Sequence, residues 1–245
     1  VGKGEKMIDI VEQFRAHRAH RDERIAEGQA AYLRHQFEFI GLKTPERRAL
    51  QKEFLREKKL DAKVDWPTVW ALWYLPEREF QYLALDYLRK MKKYLQASDL
   101  EKIKKLALSK SWWDTVDSLD ELVGFLLLQE RSQGLQENTN EKNVVNSTIR
   151  DWATAENFWV RRIAIDCQLG FKEKTDEVLL AFVIGQNLAG STFEKEFFIN
   201  KAIGWALRDL SKTDPRWVAH FIDNNRAQMS NLSIREGSKY LKNSI

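Results

Sequence analysis

The sequence predicts an all-α protein, and three observations carry that expectation. Apolar residues recur at helical spacing along almost the whole chain, while alternating strand patterns are nearly absent. Only four prolines occur, and each falls where a helix is expected to begin: Thr44-Pro45, Trp66-Pro67, Leu75-Pro76 and Asp214-Pro215. A weak recurrence links the segments Ala84–Leu88, Ala164–Leu169 and Ala202–Leu207, each with a small residue, an aliphatic and a later leucine. Their separations are 80 and 38 residues, so an unlike repeat around Trp113 gives a step near forty. Helix pairs of HEAT type, about 40–47 residues long, stack at that step into curved solenoids. The expected architecture is therefore an α-solenoid of HEAT-like repeats with a concave basic face. Residues 1–245 form one domain, and residues 1–6 ahead of Met7 are set aside as an appended or disordered lead. A non-repetitive helical domain is the alternative.

Taken in order, the elements number roughly a dozen helices of about 10–20 residues joined by short loops. Ser98 with Glu101, and Ser233 with Glu236, have the spacing of capping boxes. Thr175-Asp176-Glu177 reads as a capped helix start with acidic residues at the positive end of the dipole. The polar stretch Arg131 to Asn143 reads as an extended connection rather than a domain boundary. The segment Phe197 to Leu210 is a helix with two stripes: Ile199, Ile203, Ala206 and Leu210 face the core, and Phe198, Lys201, Trp205 and Arg208 lie about 100° around.

Composition bounds the function. A formal net charge of +4, from 40 basic and 36 acidic residues, permits an anionic partner but supplies no polybasic tail. Cys167 is the sole cysteine, so no internal disulfide forms. No apolar run approaches the ~20 residues that span a bilayer, and no signal-peptide pattern opens the chain, so a cytoplasmic protein without membrane association is expected. His17, His20, His35 and His220 lack metal-ligand spacing, and no phosphate-binding glycine loop or nucleophile elbow occurs, so neither a metal nor a cofactor is expected.

Three features carry candidate chemistry. In Ser111-Trp112-Trp113-Asp114-Thr115-Val116-Asp117, Trp113 and Asp117 are four residues apart and share a helix face. An indole beside a carboxylate suits a flat, electron-poor ligand. A core tryptophan beside a first-turn aspartate fits the same spacing. Trp205 lies between Lys201 and Arg208, company that suits sugar and phosphate, or else two aliphatic stems shielding a ring. Arg162 falls on the apolar stripe of Phe158, Ile165 and Leu169, where an arginine needs a partner or a cleft. Asp117 is a candidate partner; a snorkelling arginine with its head in water is the other reading.

With those residues in view, the sequence resembles the AlkD-like DNA glycosylases of the HEAT-like repeat superfamily, bacterial enzymes of DNA alkylation repair. The resemblance runs from about Ile10 to Leu241. It rests on Phe37–Gly41, Thr44–Arg48, Leu75–Gln81, Lys110-Ser111-Trp112-Trp113-Asp114, Trp159-Val160-Arg161-Arg162 and Lys201–Trp205. It implies Asp117 as the catalytic carboxylate, Trp113 and Trp205 as rings on the deoxyribose, and Arg162 as the residue orienting Asp117 and a water. It also implies that Tyr32 approaches the lesion, with Thr44, Arg48, Lys110, Lys201 and Arg208 as further DNA contacts. A member of that family has glutamine where this chain has Arg161, which leaves the register between Arg161 and Arg162 open.

The implied activity is release of 3-methyladenine and 7-methylguanine from duplex DNA by a monomer without a cofactor and without a base-flipping pocket. Its implied location is the bacterial cytoplasm, with the nucleoid. The alternatives are a non-catalytic HEAT-like protein that binds damaged or distorted DNA, and a protein-interaction scaffold.

Overall fold

The computed structural model describes residues 3–17, 23–137 and 143–241. Among these the chain is all-helical, as an α-solenoid requires, with fourteen α-helices and a lone parallel bridge between Glu38 and Glu77. Two compact units divide it, residues 1–95 and 96–245.

The first unit holds α1 (Lys3–Ala16), α2 (Glu23–Tyr32), α3 (Thr44–Leu50), α4 (Lys52–Lys58), α5 (Trp66–Trp73) and α6 (Arg78–Met91). Its core follows helical periodicity. Phe80, Leu83, Ala84, Tyr87, Leu88 and Met91 are all buried on α6, and Phe14 of α1 stacks on Phe80 at 5.5 Å. Its buried charges are matched by donors or acceptors. Arg15 grips Glu77 with two hydrogen bonds, and Arg47 of α3 pairs with Asp86 of α6, which Gln51 also contacts. The Glu79 carboxylate accepts the backbone N–H groups of Ile40, Gly41 and Leu42, tying the loop before α3 to α6.

The second unit holds α7 (Leu100–Ala107), α8 (Trp113–Glu137), α9 (Val144–Trp152), α10 (Phe158–Asp166), α11 (Glu177–Gly185), α12 (Phe197–Leu210), α13 (Pro215–Asn225) and α14 (Asn231–Gly237). Helix α10 is central: it touches α7, α8, α9, α11 and α12, and all its residues from Trp159 to Asp166 are buried. That burial forces its two arginines and its aspartate to find partners inside the protein.

Several local expectations need correction. The helix expected to follow Ser98 starts at Leu100 without a side-chain cap; the box closed there is that of Gln96 with Asp99, around the 3-10 turn Ala97–Asp99. The last cap is Ser230, which accepts from Ser233 N–H, so Glu236 lies inside α14 instead of closing a box at its start. Pro76 precedes α6 by two residues, while Pro45, Pro67 and Pro215 occupy the first turn of their helices. Arg131–Glu137 continue α8 rather than forming a connection, and α1 begins at Lys3. His20 and residues 138–142 lie outside the described residues. Asp176 caps α11 through Leu179 N–H, as its sequence context implied.

Candidate active site

The site is built from α8, α10, α12 and α14 of the second unit. Trp113 opens α8 and Asp117 follows one turn later, so both point to one side of the helix. The adjacent Trp112 turns into an aromatic cluster with Trp159 at 5.9 Å and Phe198 at 5.4 Å. Both neighbouring tryptophans are half-buried.

Arg162 resolves the register left open by the sequence. Its Nε and Nη2 donate to the two oxygens of Asp117 at 2.7 and 2.9 Å, a bidentate pair. Its Nη1 donates to the Phe198 carbonyl of α12 at 2.7 Å. The neighbouring Arg161 points elsewhere: it donates to the Ala155 and Thr154 carbonyls and to Asn187 Oδ1, and it lies over the Phe193 ring. Arg161 holds a loop, while Arg162 holds a carboxylate.

Burial gives that pair its direction. The Arg162 side chain is 2% exposed and that of Asp117 is 22% exposed, so the cation lies inside and the acid reaches the surface. Burial by itself weakens the Arg162 charge, but Asp166, Asp117 and Asp120 outweigh it and hold the guanidinium above the ordinary arginine value. The same guanidinium lies 5.2 Å from the Trp205 ring, so one arginine joins the expected carboxylate to one of the expected indoles.

Trp205 is ringed by cations, with Lys201 at 5.8 Å and Arg208 at 5.9 Å besides Arg162. Both flanking cations also pair with Glu236 of α14, each at 3.0 Å. Hydrogen bonding from Lys201, against some burial, pulls the Glu236 carboxyl below its usual range, and Arg208 adds to the pull. Sequence reasoning missed Glu236 because it was assigned to a capping box. Gly204 marks the approach, since a Cβ there would lie 2.5 Å from that of Glu236, but the sequence does not name the neighbour. The glycine lets α14 press against α12 and brings the acid to both cations.

Asp120 and Asp166 were also missed. They follow Asp117 by three residues and Arg162 by four, so helical spacing puts each on the face of a residue already singled out. One oxygen from each of Asp117, Asp120 and Asp166 lies within 4.8 Å of the other two. Gly124, one turn beyond Asp120, permits this: a Cβ there would sit 2.1 Å from the Cys167 carbonyl at the end of α10. Cys167 is itself buried, and burial drives its thiol well above the usual range.

The remaining expected DNA contacts are dispersed. Lys110 precedes α8 in a left-handed conformation with φ of 51°. Tyr32, 73% exposed at the end of α2, and the exposed Thr44 and Arg48 of α3 belong to the first unit. No described helix is long and apolar enough to cross a membrane.

Comparison with known proteins adds two findings. The family model for DNA alkylation repair enzyme matches residues 15–241. A solved structure described as "Predicted DNA alkylation repair enzyme from Enterococcus faecalis" is 34% identical, with a TM-score of 0.77 over 90% of this chain and 96% of that one. No match is found among curated proteins.

Proposed function

The chain belongs to the DNA alkylation repair enzyme family, and from that premise we propose that it is a monofunctional DNA glycosylase. Its reaction is hydrolysis of the N-glycosidic bond of cationic alkylated bases in duplex DNA, with 3-methyladenine and 7-methylguanine as substrates. The observation that carries the reading is the Asp117–Arg162 pair: a buried fork turned on an acid that reaches the surface, beside the Trp205 ring.

Alkylation at a ring nitrogen makes the base a good leaving group, so the barrier lies in the positive charge that develops on the sugar. A fixed carboxylate near that charge stabilises the transition state more than the ground state, because it is already aimed and needs no reorganisation. Each Asp117 oxygen accepts one N–H from Arg162, and a carboxylate oxygen has a second lone-pair site. Those outer sites serve the anomeric carbon or an attacking water. The Trp113 and Trp205 rings offer electron-rich faces to the same cation. Bond breaking of this kind asks for no cofactor and no lysine adduct, so the backbone stays intact.

Recognition in this reading goes through sugar and phosphate, with no pocket enclosing a flipped base. The protein acts as a monomer in the cytoplasm. Lys201 and Arg208 meet phosphates while sharing Glu236, and Lys110, Tyr32, Thr44 and Arg48 add contacts along the duplex.

Incubation with methylated duplex DNA, followed by chromatography of the free bases and electrophoresis of the strand, tests this directly. Free 7-methylguanine with an unbroken strand is the expected result. Tight binding without base release would favour a non-catalytic binder of damaged DNA.

A further inference from the structure

Two carboxylates approach the Nε of Arg162, and the proposed chemistry uses only one. Asp166 Oδ2 lies 3.6 Å from that Nε, an ion-pair distance but too long for a hydrogen bond. The Asp166 side chain is 0% exposed, and neither of its oxygens has a hydrogen-bond partner. Asp120, also buried, belongs to the same cluster within 4.8 Å. Three carboxylates therefore surround one guanidinium, and the two that water does not reach are the two outside the bidentate pair.

If all three were ionised, a buried region would hold three negative charges against one positive. Asp166 would then compete with Asp117 for the Nε–H that both approach. We propose that Asp120 and Asp166 share a single proton, and that this proton positions Arg162 by keeping its fork on Asp117. The proton lowers the negative charge beside Arg162 Nε and supplies the donor that the Asp166 oxygens lack.

Burial, chiefly, pushes Asp166 up to about 7, with Arg162 opposing and Asp117 adding to the rise. Burial likewise drives Asp120 up, reinforced by Asp166 and Asp117 and opposed by Arg162. The charged groups acting on the pair thus come from α8 and α10. Other charged groups nearby are engaged elsewhere: Lys201 and Arg208 of α12 with Glu236, Asp209 of α12 with the Gly170 N–H, and Arg131, further along α8, with Asp176. A divalent cation among the three carboxylates is a weaker reading, because it would sit against the Arg162 charge and draw on oxygens the guanidinium already binds.

Two of these residues are thereby positioning residues for the glycosylase reaction, and that half of the inference rests on the proposed function. The proton itself does not. Carbon-13 carboxyl NMR of the aspartate-labelled full chain between pH 4 and 9 tests it without DNA. One buried carboxyl titrating in the neutral range is expected, with the Arg162 Nε–H resonance moving at the same midpoint. Both Asp120→Asn and Asp166→Asn should abolish that step, so either variant suffices if the other does not fold. Absence of a neutral titration in the parent, or movement of both carboxyl signals when magnesium or calcium is added, overturns the proposal. On methylated duplex, the parent rate should fall above the midpoint, approaching ~tenfold per pH unit, while Asp166→Asn keeps its rate. A shared proton that titrates without moving either Arg162 Nε–H or the rate would refute the positioning role. A parent that releases no base refutes the glycosylase reading and leaves the NMR result to decide the proton and the guanidinium position.

Discussion

The two units treat buried charge differently. In the first, Arg15 takes Glu77, Arg47 takes Asp86, Lys58 takes Asp65, and Glu79 is met by three backbone N–H groups. Each of these four acids has a donor in hydrogen-bond contact, which is what stability alone asks of a buried charge. In the second, Asp117, Asp120 and Asp166 crowd around Arg162, and both Asp166 oxygens lack a hydrogen-bond partner. An excess of like charge in a core is expensive, and folding gains nothing from it. Such an imbalance belongs where a charge is held ready for another molecule.

That contrast is open to attack from both sides. Breaking a matched pair should harm folding and little else. Arg47→Ala leaves Asp86 short of its main partner and should cost about 3–5 kcal/mol, read as a lower urea midpoint. Base release per folded molecule should stay at the parental rate. A stable Arg47→Ala protein would remove the distinction between the units.

The unmatched cluster should instead show itself through pH. Burial above all holds Asp166 near 7, whereas an unfolded aspartyl side chain releases its proton close to 4. Between those values the folded state binds the extra proton, so stability is greatest below the lower value and declines as pH rises through the upper one. The slope is about 1.4 kcal/mol per pH unit for one proton. Asp166→Asn should therefore gain on the parent steadily from pH 4 to 7 and no further above it. Parallel urea midpoints for the two proteins across that range would contradict the assignment.

The smallest effect concerns DNA contact. Arg208→Ala should lower the slope of log affinity against log salt by about one if Arg208 meets a phosphate. Glu236→Gln, which frees Lys201 and Arg208 from their shared acid, should raise it. An unchanged slope in both would assign the two cations to Trp205 and Glu236 alone.

Much of this was legible in the sequence because helices write their contacts at fixed spacing. The Phe197–Leu210 helix and its apolar stripe follow from positions three and four apart, and Ile199, Ile203, Ala206 and Leu210 are all buried. The partnership of Arg162 with Asp117 was one of two readings open to the sequence, and the bidentate pair decides between them. What stayed hidden depends on how closely helices approach. Glycines at 124 and 204 set those approaches, and a glycine inside a helical pattern does not say which neighbour it admits. Hence Glu236 passed as a cap, and Asp120 and Asp166 were not singled out. Polar composition misled at Arg131–Glu137, where a long helix carries its polar end onward.

The most direct measurement is single-turnover release of 7-methylguanine from methylated duplex by the parent and by Asp117→Asn, alongside duplex affinity at fixed salt. The variant keeps the shape of the side chain and removes its charge. The account predicts a rate lower by roughly 10²–10³, the size of a lost electrostatic stabiliser, with little change in binding. Equal rates would contradict it and remove Asp117 from the chemistry.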